Sequence, residues 1–320
     1  MDKNFVVGID IGGQTSKIGV VDADGNILER TAIRTDTYGT DAGAYISALS
    51  AAVRELVAKT GKTGQIRGAG VCAPNGNYYT GTISYAPNIA WAADGTVDFA
   101  RDFSAALGGI PVSLTNDANA AAVGEMTYGA ARGMKHFIMI TLGTGVGSGI
   151  VIDGKVVYGY DGFAGELGHT CAVRDSDRLC GCGKKGCLET YCSATGVART
   201  AREWLDASDE PSLLRKLETV TSKDVYDAAK AGDALSVRIF EYTGRMLGQS
   251  FADFIAFSAP QAIVLFGGLA RAKEFLYGPM VEAMNQNVMR IWKNKVQIIF
   301  SQLKESDAAI LGASALAWEL

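Results

Sequence analysis

The stretch FVVGIDIGGQTSKIGVVDADGNIL, residues 5–28, contains an apolar strand pattern, a glycine loop, a second apolar strand pattern and an Asp-Gly turn. Apolar runs separated by such turns are typical of a β-hairpin unit. The same order returns in HFIMITLGTGVGSGIVIDGKVV, residues 136–157, with an Asp-Gly turn at Asp153 and Gly154. The two stretches lie too far apart for a short solenoid repeat, so they predict two related α/β lobes that face each other.

The rest of the chain is predicted to supply the other strands and helices of these lobes. Residues 44–59 and 118–128 have helical composition, whereas GQIRGAGVCAP and IPVSLTND predict further strands. After residue 189 the pattern is mainly helical until the strands QAIVLFGG and VQIIF and a last helix rich in small residues. We predict a smaller lobe of residues 1–116 plus 301–320 and a larger lobe of residues 117–300.

Composition excludes several classes of protein. The chain has 320 residues, of which 48% are hydrophobic and 20% charged, with a net charge of −4, as in a folded globular protein. An acidic chain disfavours a nucleic-acid partner, and no apolar run approaches the roughly 20 residues that span a bilayer. The N-terminus shows no signal-peptide pattern, so we expect a cytoplasmic protein without a membrane or nucleic-acid partner, in which thiols stay reduced.

Two glycine loops occupy matching places in the duplicated units. The first carries Asp10, Gly12, Gly13, Thr15 and Lys17, and the second carries Thr141, Gly143, Thr144, Gly145 and Gly147. Glycines let backbone amides turn toward an anion, although one such loop alone could equally be a tight hairpin. Neither loop ends in Gly-Lys-Ser/Thr or fits GxGxxG, which argues against a P-loop NTPase or a dinucleotide enzyme. Together they predict a polyphosphate site between the lobes.

Asp117 follows a predicted strand and begins the alanine-rich segment of TNDANAAAVGE. Phosphoryl transfer to an alcohol needs a carboxylate that accepts the hydroxyl proton, with Mg²⁺ and backbone donors at the phosphoryl oxygens. We predict that Asp117 is this base. The alternative is that Asp117 only caps its helix.

Four of the six cysteines lie within residues 168–189. Cys180, Cys182 and Cys187 are separated by glycines, and His169 precedes them. Three thiolates and one imidazole complete a tetrahedral shell, which predicts a structural Zn²⁺ site. Free thiols with a Cys180–Cys187 redox pair are the alternative, and Cys171 and Cys192 are nearby competitors for the ion. Cys72 is expected in the core.

Carboxylates flank this cysteine cluster at Glu166 and Glu189. Rigid acceptors at such a place suit a ligand with several hydroxyls, and a sugar is the expected ligand. Zinc would then act as a brace. His169 would coordinate through one ring nitrogen and leave the other free for a neighbour or the ligand. The alternative for both glutamates is an exposed surface carboxylate.

The chain resembles the ROK family (repressors, open reading frames and kinases) of the hexokinase–actin superfamily over essentially its whole length. The resemblance rests on DIGGQTSKIG, APN followed by Trp91, TNDANAAAVGE, TLGTGVGSGIV and GELGH followed by CGCGKKGCLE. It implies a two-lobed, ribonuclease H-like α/β fold with an interlobe active-site cleft. It also implies an ATP- and Mg²⁺-dependent hexose kinase acting on the 6-hydroxyl, with glucose as the first expected acceptor, and a homodimer.

The resemblance also assigns residues. It implies that Asp117 is the base and that sugar hydroxyls contact the side chains of Asn88, Asn116, Glu166, His169 and Glu189. Gly267 and Gly268 match the family's adenosine-side loop, the alternative being a plain strand-to-helix turn. Gln14 stands where the family usually has Thr, which leaves open whether Gln14 or Thr15 reaches the phosphate. Asn75 and Gly76 are expected in the place of a glycine-rich turn near the sugar.

Several alternatives remain at this stage. N-acetylmannosamine or N-acetylglucosamine is the second expected acceptor, and fructose, mannose or allose presents similar hydroxyls. A non-catalytic sugar sensor is the rival from another class, although it should not need an intact base and both loops. The repressor branch of the family carries a helix-turn-helix segment before the kinase-like lobes, whereas here the first loop strand begins near Phe5.

Overall fold

The computed structural model describes residues 3–320, the side chain of Glu305 excepted. The strands are β1 (Phe5–Ile11), β2 (Thr15–Asp22), β3 (Ile27–Arg34), β4 (Ile66–Cys72), β5 (Ile83–Ser84), β6 (Thr96–Val97), β7 (Val112–Thr115), β8 (Phe137–Leu142), β9 (Val146–Ile152), β10 (Lys155–Val156), β11 (Ala262–Phe266) and β12 (Gln297–Phe300). The α-helices are α1 (Ala42–Thr60), α2 (Phe99–Ala106), α3 (Asp117–Tyr128), α4 (Glu189–Cys192), α5 (Ala194–Ala207), α6 (Ser222–Lys230), α7 (Ala234–Ser258), α8 (Lys273–Asn287) and α9 (Glu305–Leu316).

The chain forms two compact units. The first unit holds the described residues up to Gly133 together with Val156–Ala164 and Gln302–Leu320. The second unit holds Met134–Lys155 and Gly165–Ser301. The boundary predicted from the sequence at residues 116 and 117 therefore differs from the division in the structure, which keeps α3 in the first unit.

The two units repeat one sheet topology. The strand order is β3-β2-β1-β4-β7 in the first unit and β10-β9-β8-β11-β12 in the second. In each sheet the central strand pairs antiparallel with its hairpin partner and parallel with the strand on its other side. The duplication predicted from the two glycine-loop hairpins is confirmed.

Helix α9 packs on the first sheet and on α3. Glycines on the strands allow the close approach, because a Cβ at Gly70 would lie 1.8 Å from the Ala313 carbonyl oxygen. A Cβ at Gly124 would likewise lie 2.8 Å from the Gly312 Cα. This glycine-to-glycine contact is the physical reason that α3 belongs to the first unit.

Each unit has its own hydrophobic core. In the first unit the buried rings of Tyr45 and Trp91 stack at 4.6 Å beneath α1. In the second unit α7 packs on α8, and a Cβ at Gly248 would lie 2.2 Å from the Met280 carbonyl oxygen. Within residues 3–320, no helix has the length and apolar character needed to cross a bilayer.

Candidate functional site

The first unit gathers acidic residues where its parallel strands end. Asp10 on β1 is in register with Lys17 on β2 and with Cys72 on β4. Asp117 is the second residue after the end of β7. The carboxylate oxygens of Asp10 and Asp117 and the Cys72 Sγ lie within 4.8 Å of one another. The carboxyl ends of parallel strands meet at one edge of a sheet, which is where ligands bind in open α/β sheets.

Asp117 is the first residue of α3 and does not cap it. Asn116 is the N-cap, and its side-chain oxygen accepts a hydrogen bond of 2.8 Å from the Asn119 amide. The interpretation of Asp117 as a helix cap is therefore wrong, because its neighbour fills that role and leaves the Asp117 carboxylate free. The amide nitrogen of Asn116 is not needed for the cap and can still donate to a ligand.

Desolvation by the surrounding protein, and then the negative charge of Asp10, raise the pKa of Asp117 to about 7. Yet its side chain is exposed to solvent. Protein atoms around the carboxylate therefore desolvate it, although they leave it accessible to solvent. A solvent-accessible carboxylate with such a pKa is suited to accept a proton near neutral pH.

Asp10 is the second carboxylate of the pair. Its Oδ1 accepts from the Cys72 thiol at 3.6 Å, and its Oδ2 lies 3.9 Å from the Lys17 Nζ. Burial raises the pKa of Asp10, and Lys17 and the Cys72 hydrogen bond oppose the increase. Burial also raises the pKa of Cys72 well above its usual range, so the thiol stays protonated and acts as a donor.

The first glycine loop lies against Asn88, one of the predicted sugar contacts. The Gly12 amide donates to the Thr15 carbonyl at 3.2 Å, and the Gln14 carbonyl accepts from the Thr35 amide at 2.9 Å. A Cβ at Gly13 would lie 2.6 Å from the Asn88 carbonyl oxygen. The loop and the exposed Asn88 are thus direct neighbours.

Asn75 and Gly76 are neighbours in one turn, and each makes its own contacts. Asn75 adopts a positive φ of 54°, and its side-chain amide donates to the Ser84 and Tyr85 carbonyls at 3.1 and 2.9 Å. These bonds shape the turn. Gly76 lies against the end of β7, because a Cβ there would be 2.5 Å from the Thr115 carbonyl oxygen. The turn is therefore packed next to the residues that lead to Asn116 and Asp117.

The second unit carries the other glycine loop between β8 and β9. Thr141 ends the part of β8 that pairs with β11, and the Gly143 amide donates to the Gly145 carbonyl at 3.0 Å. Gly267 follows β11 with a φ of 108°, and a Cβ there would lie 2.5 Å from the Leu142 carbonyl oxygen. The predicted adenosine-side loop at Gly267 and Gly268 therefore adjoins the predicted phosphate loop.

The cysteine cluster also lies in the second unit. The ligand atoms of His169, Cys180, Cys182 and Cys187 all lie within 4.8 Å of one another. The His169 Nδ1 is 3.5 Å from the Cys180 Sγ, whereas its Nε2 faces a Glu166 oxygen at 3.9 Å. The Nδ1 of His169 therefore faces the thiols, and its Nε2 faces Glu166. Three thiols and an imidazole are a donor set that fits Zn²⁺.

The competing cysteines do not join this cluster. Cys171 is exposed and bridges to Cys187 only through backbone pairing, and the buried Cys192 thiol donates to the Thr243 carbonyl. Cys180 and Cys187 are not joined by a disulfide. Desolvation, followed by the neighbouring thiols, raises the pKa of Cys187 to about 12, which a bound cation would reverse by stabilising the thiolate.

Glu189 connects the cysteine cluster to the second glycine loop. Its Oε2 accepts from the Val146 amide at 2.9 Å, and its Oε1 accepts from the Cys180 thiol at 3.5 Å. It is therefore not a bare surface carboxylate. Glu166 is exposed, and its carboxylate faces the His169 Nε2, as described above.

Two residues near the sites were not singled out from the sequence for these contacts. Cys72 was expected only as a core residue, yet its thiol also bonds to Asp10. Arg178 is buried, pairs with Glu203 and donates to the Thr190 carbonyl at 2.8 Å. The guanidinium thus ties the cysteine-cluster loop to α5. An arginine inside a cysteine-rich loop gives no sequence signal of its burial.

The duplicated sheets, each with a glycine loop in its central hairpin, place the chain in the hexokinase–actin fold class. The chain belongs to the ROK family, whose family model matches residues 6–319.

Relatives and solved structures agree with this assignment. The chain is 37% identical to a glucokinase of Halalkalibacterium halodurans over 88% of this chain and 85% of that protein. It is 32% identical to a glucokinase of Thermotoga maritima over 99% and 98% of the two chains. A ROK family glucokinase from Streptomyces griseus, crystallised in complex with glucose and AMPPNP, superimposes with a TM-score of 0.77 at 31% identity, covering 99% and 100% of the two chains.

Proposed function

We propose that this protein is an ATP-dependent hexose kinase that transfers the terminal phosphoryl group of ATP to the 6-hydroxyl of glucose. The observation that carries the proposal is the free Asp117 carboxylate, with its pKa of about 7, beside Asp10 at the end of the sheet. Relatives named glucokinase at 37% and 32% identity support glucose as the acceptor.

In the proposed reaction Asp117 accepts the proton of the 6-hydroxyl. The oxygen then forms a bond to the terminal phosphorus of ATP while the bond from phosphorus to the ADP oxygen breaks, so that the products are sugar 6-phosphate and ADP. With a pKa of about 7, Asp117 is present as the base in a substantial fraction of molecules at neutral pH.

The glycine loops are proposed to hold the phosphates through backbone amides, with Gly12, Gly13 and Thr15 or Gln14 in the first unit. Thr141, Gly143, Thr144 and Gly145 would serve in the second, and Gly267 and Gly268 on the adenosine side. Asp10 is the proposed ligand for Mg²⁺, with Lys17 beside it at 3.9 Å. Mg²⁺, when bound, neutralises charge on the phosphoryl oxygens.

The sugar hydroxyls are proposed to contact Asn88, Asn116, Glu166, His169 and Glu189. We propose a structural Zn²⁺ at His169 and the three cysteines, where it would fix the imidazole ring facing Glu166. Asn75 and Gly76 would support this site by shaping the turn that lies against β7. A cytoplasmic location, with ATP and reduced thiols, and a homodimer belong to the same proposal.

The test is a panel of acceptors at fixed MgATP, with ADP release as the common readout. The panel comprises glucose, mannose, fructose, allose, N-acetylmannosamine and N-acetylglucosamine, and the position of the phosphate is read by phosphorus NMR. We expect glucose to give the highest kcat/KM and a 6-phosphate. A higher kcat/KM for an N-acetylhexosamine would contradict the assignment of glucose. Sugar binding without ADP release for any acceptor would favour a sensor over a kinase.

A further inference from the structure

The segment that leaves the cysteine cluster is hydrogen-bonded to the second glycine loop. We call residues 189–195 the clamp segment. The Ala194 amide donates to the Gly143 carbonyl at 2.8 Å, and the Thr195 hydroxyl donates to the Thr144 carbonyl at 2.9 Å. The third contact is the one from the Val146 amide to the Glu189 carboxylate at 2.9 Å. The clamp segment therefore holds three peptide groups of the loop.

These bonds decide where the loop amides point. In a trans peptide the carbonyl and the following N–H point in opposite directions. Because the carbonyls of Gly143 and Thr144 point to the clamp segment, the N–H groups of Thr144 and Gly145 point away from it. Two successive amides with one common orientation form a concave anion site.

The close fit depends on a glycine. A Cβ at Gly145 would lie 2.3 Å from the Glu189 Oε2, so a larger residue would displace the carboxylate from the loop. The internal bond from the Gly143 amide to the Gly145 carbonyl completes the turn. The loop shape thus depends on Glu189 from one side and on its own backbone from the other.

The cysteine cluster fixes the start of the clamp segment. The Leu188 amide donates to the Thr170 carbonyl at 2.9 Å, and the Cys180 thiol reaches Glu189 at 3.5 Å. At the far end, Ser193 caps α5 and its hydroxyl lies 2.9 Å from the Thr195 hydroxyl. The clamp segment is therefore held at both ends.

We propose that the clamp segment positions the amides of Thr144 and Gly145 for the phosphates of the nucleotide, with Thr195 and Glu189 as positioning residues. The cysteine cluster then supports nucleotide binding as well as the sugar contacts. This inference rests on the proposed function, since it assumes that the ligand of the loop is a nucleoside triphosphate.

The test is Thr195→Val, which removes the hydroxyl at an exposed position and should leave the fold intact. Calorimetry with AMPPNP and Mg²⁺ should show a Kd about three- to tenfold higher than in the wild type, the usual range for one lost hydrogen bond. The Kd for glucose should stay unchanged. Thr195→Ser, which keeps the hydroxyl, should restore the nucleotide Kd.

Thr127→Val is the matched control, because it removes a hydroxyl that donates to the Val123 carbonyl at 2.8 Å in the first unit. Its nucleotide Kd should equal that of the wild type. An unchanged nucleotide Kd in Thr195→Val would overturn the inference, and the kinase proposal would stand if glucose-dependent ADP release persists. A wild-type protein that binds no AMPPNP would overturn both.

Discussion

The pH dependence of turnover should reveal the ionisation of Asp117. The base must be deprotonated, so a raised pKa moves the acid limb of kcat/KM upward in pH. With a pKa of about 7, about 10% of Asp117 is ionised at pH 6, whereas an ordinary aspartate would be about 99% ionised. We therefore expect kcat/KM at pH 6 to be about tenfold below its plateau.

The negative charge of Asp10 contributes part of the increase in the pKa of Asp117, and removing that charge gives a second test. A unit charge at 4.8 Å, the outer limit of the separation of these ligand atoms, contributes about 0.9 kcal/mol in a water-like dielectric and about 3.5 kcal/mol at an effective dielectric constant of 20. Desolvation is the larger cause of the raised pKa, so the lower figure is taken as the minimum contribution of Asp10. Asp10→Asn should move the acid limb down by at least roughly half a pH unit.

The assay is initial-rate ADP release at limiting glucose and limiting MgATP from pH 5 to 9. Asp10→Asn should lower the plateau, since Asp10 is the proposed Mg²⁺ ligand, but the position of the limb is read independently of its height. A limb that stays in place in Asp10→Asn would refute the coupling between the two carboxylates. A flat profile down to pH 5 would refute the raised pKa.

Two further predictions concern zinc and packing. Cys182→Ser should lose the zinc measured by elemental analysis and melt at a lower temperature, because structural zinc contributes on the order of 10 kcal/mol to folding in small zinc-folded peptides and less in a unit with its own core. Cys171→Ser, outside the cluster, should keep both its zinc and its melting temperature. Gly70→Ala should lower the free energy of unfolding by about 1–3 kcal/mol or more, because the new methyl meets the backbone of α9. Gly95→Ala, which meets nothing within 4 Å, should change the free energy of unfolding far less, and equal effects would contradict the packing argument.

Much of the fold could be predicted because its signals are local. The two glycine-loop hairpins and the spacing of the cysteines lie within short stretches, and the structure forms both as expected. The place of α3 could not be predicted, because it depends on the contact of Gly124 with Gly312, far along the chain. A predicted boundary at the start of a helix carries no information on which sheet that helix covers.

The candidate site could be singled out from the sequence only in part. Asp117 was proposed as the base from its motif, whereas the contact of the Cys72 thiol with Asp10 depends on the register of β1 and β4. The clamp segment was missed because the Ala194 amide and the Thr195 hydroxyl bond to backbone carbonyls of the glycine loop, and such contacts leave no pattern in the sequence. Glu189 was singled out from the sequence, but only as a sugar contact and not for its bond to the Val146 amide.

The most direct test of the proposed function compares Asp117→Asn with the wild type in glucose-dependent ADP release, with Asp209→Asn as a control at an exposed aspartate in the second unit. The asparagine keeps the shape of the side chain but cannot accept the proton, so kcat should fall by about 10²- to 10⁴-fold. The calorimetric Kd for glucose should change little, and Asp209→Asn should turn over like the wild type. A kcat for Asp117→Asn close to that of the wild type would contradict the assignment of Asp117 as the base.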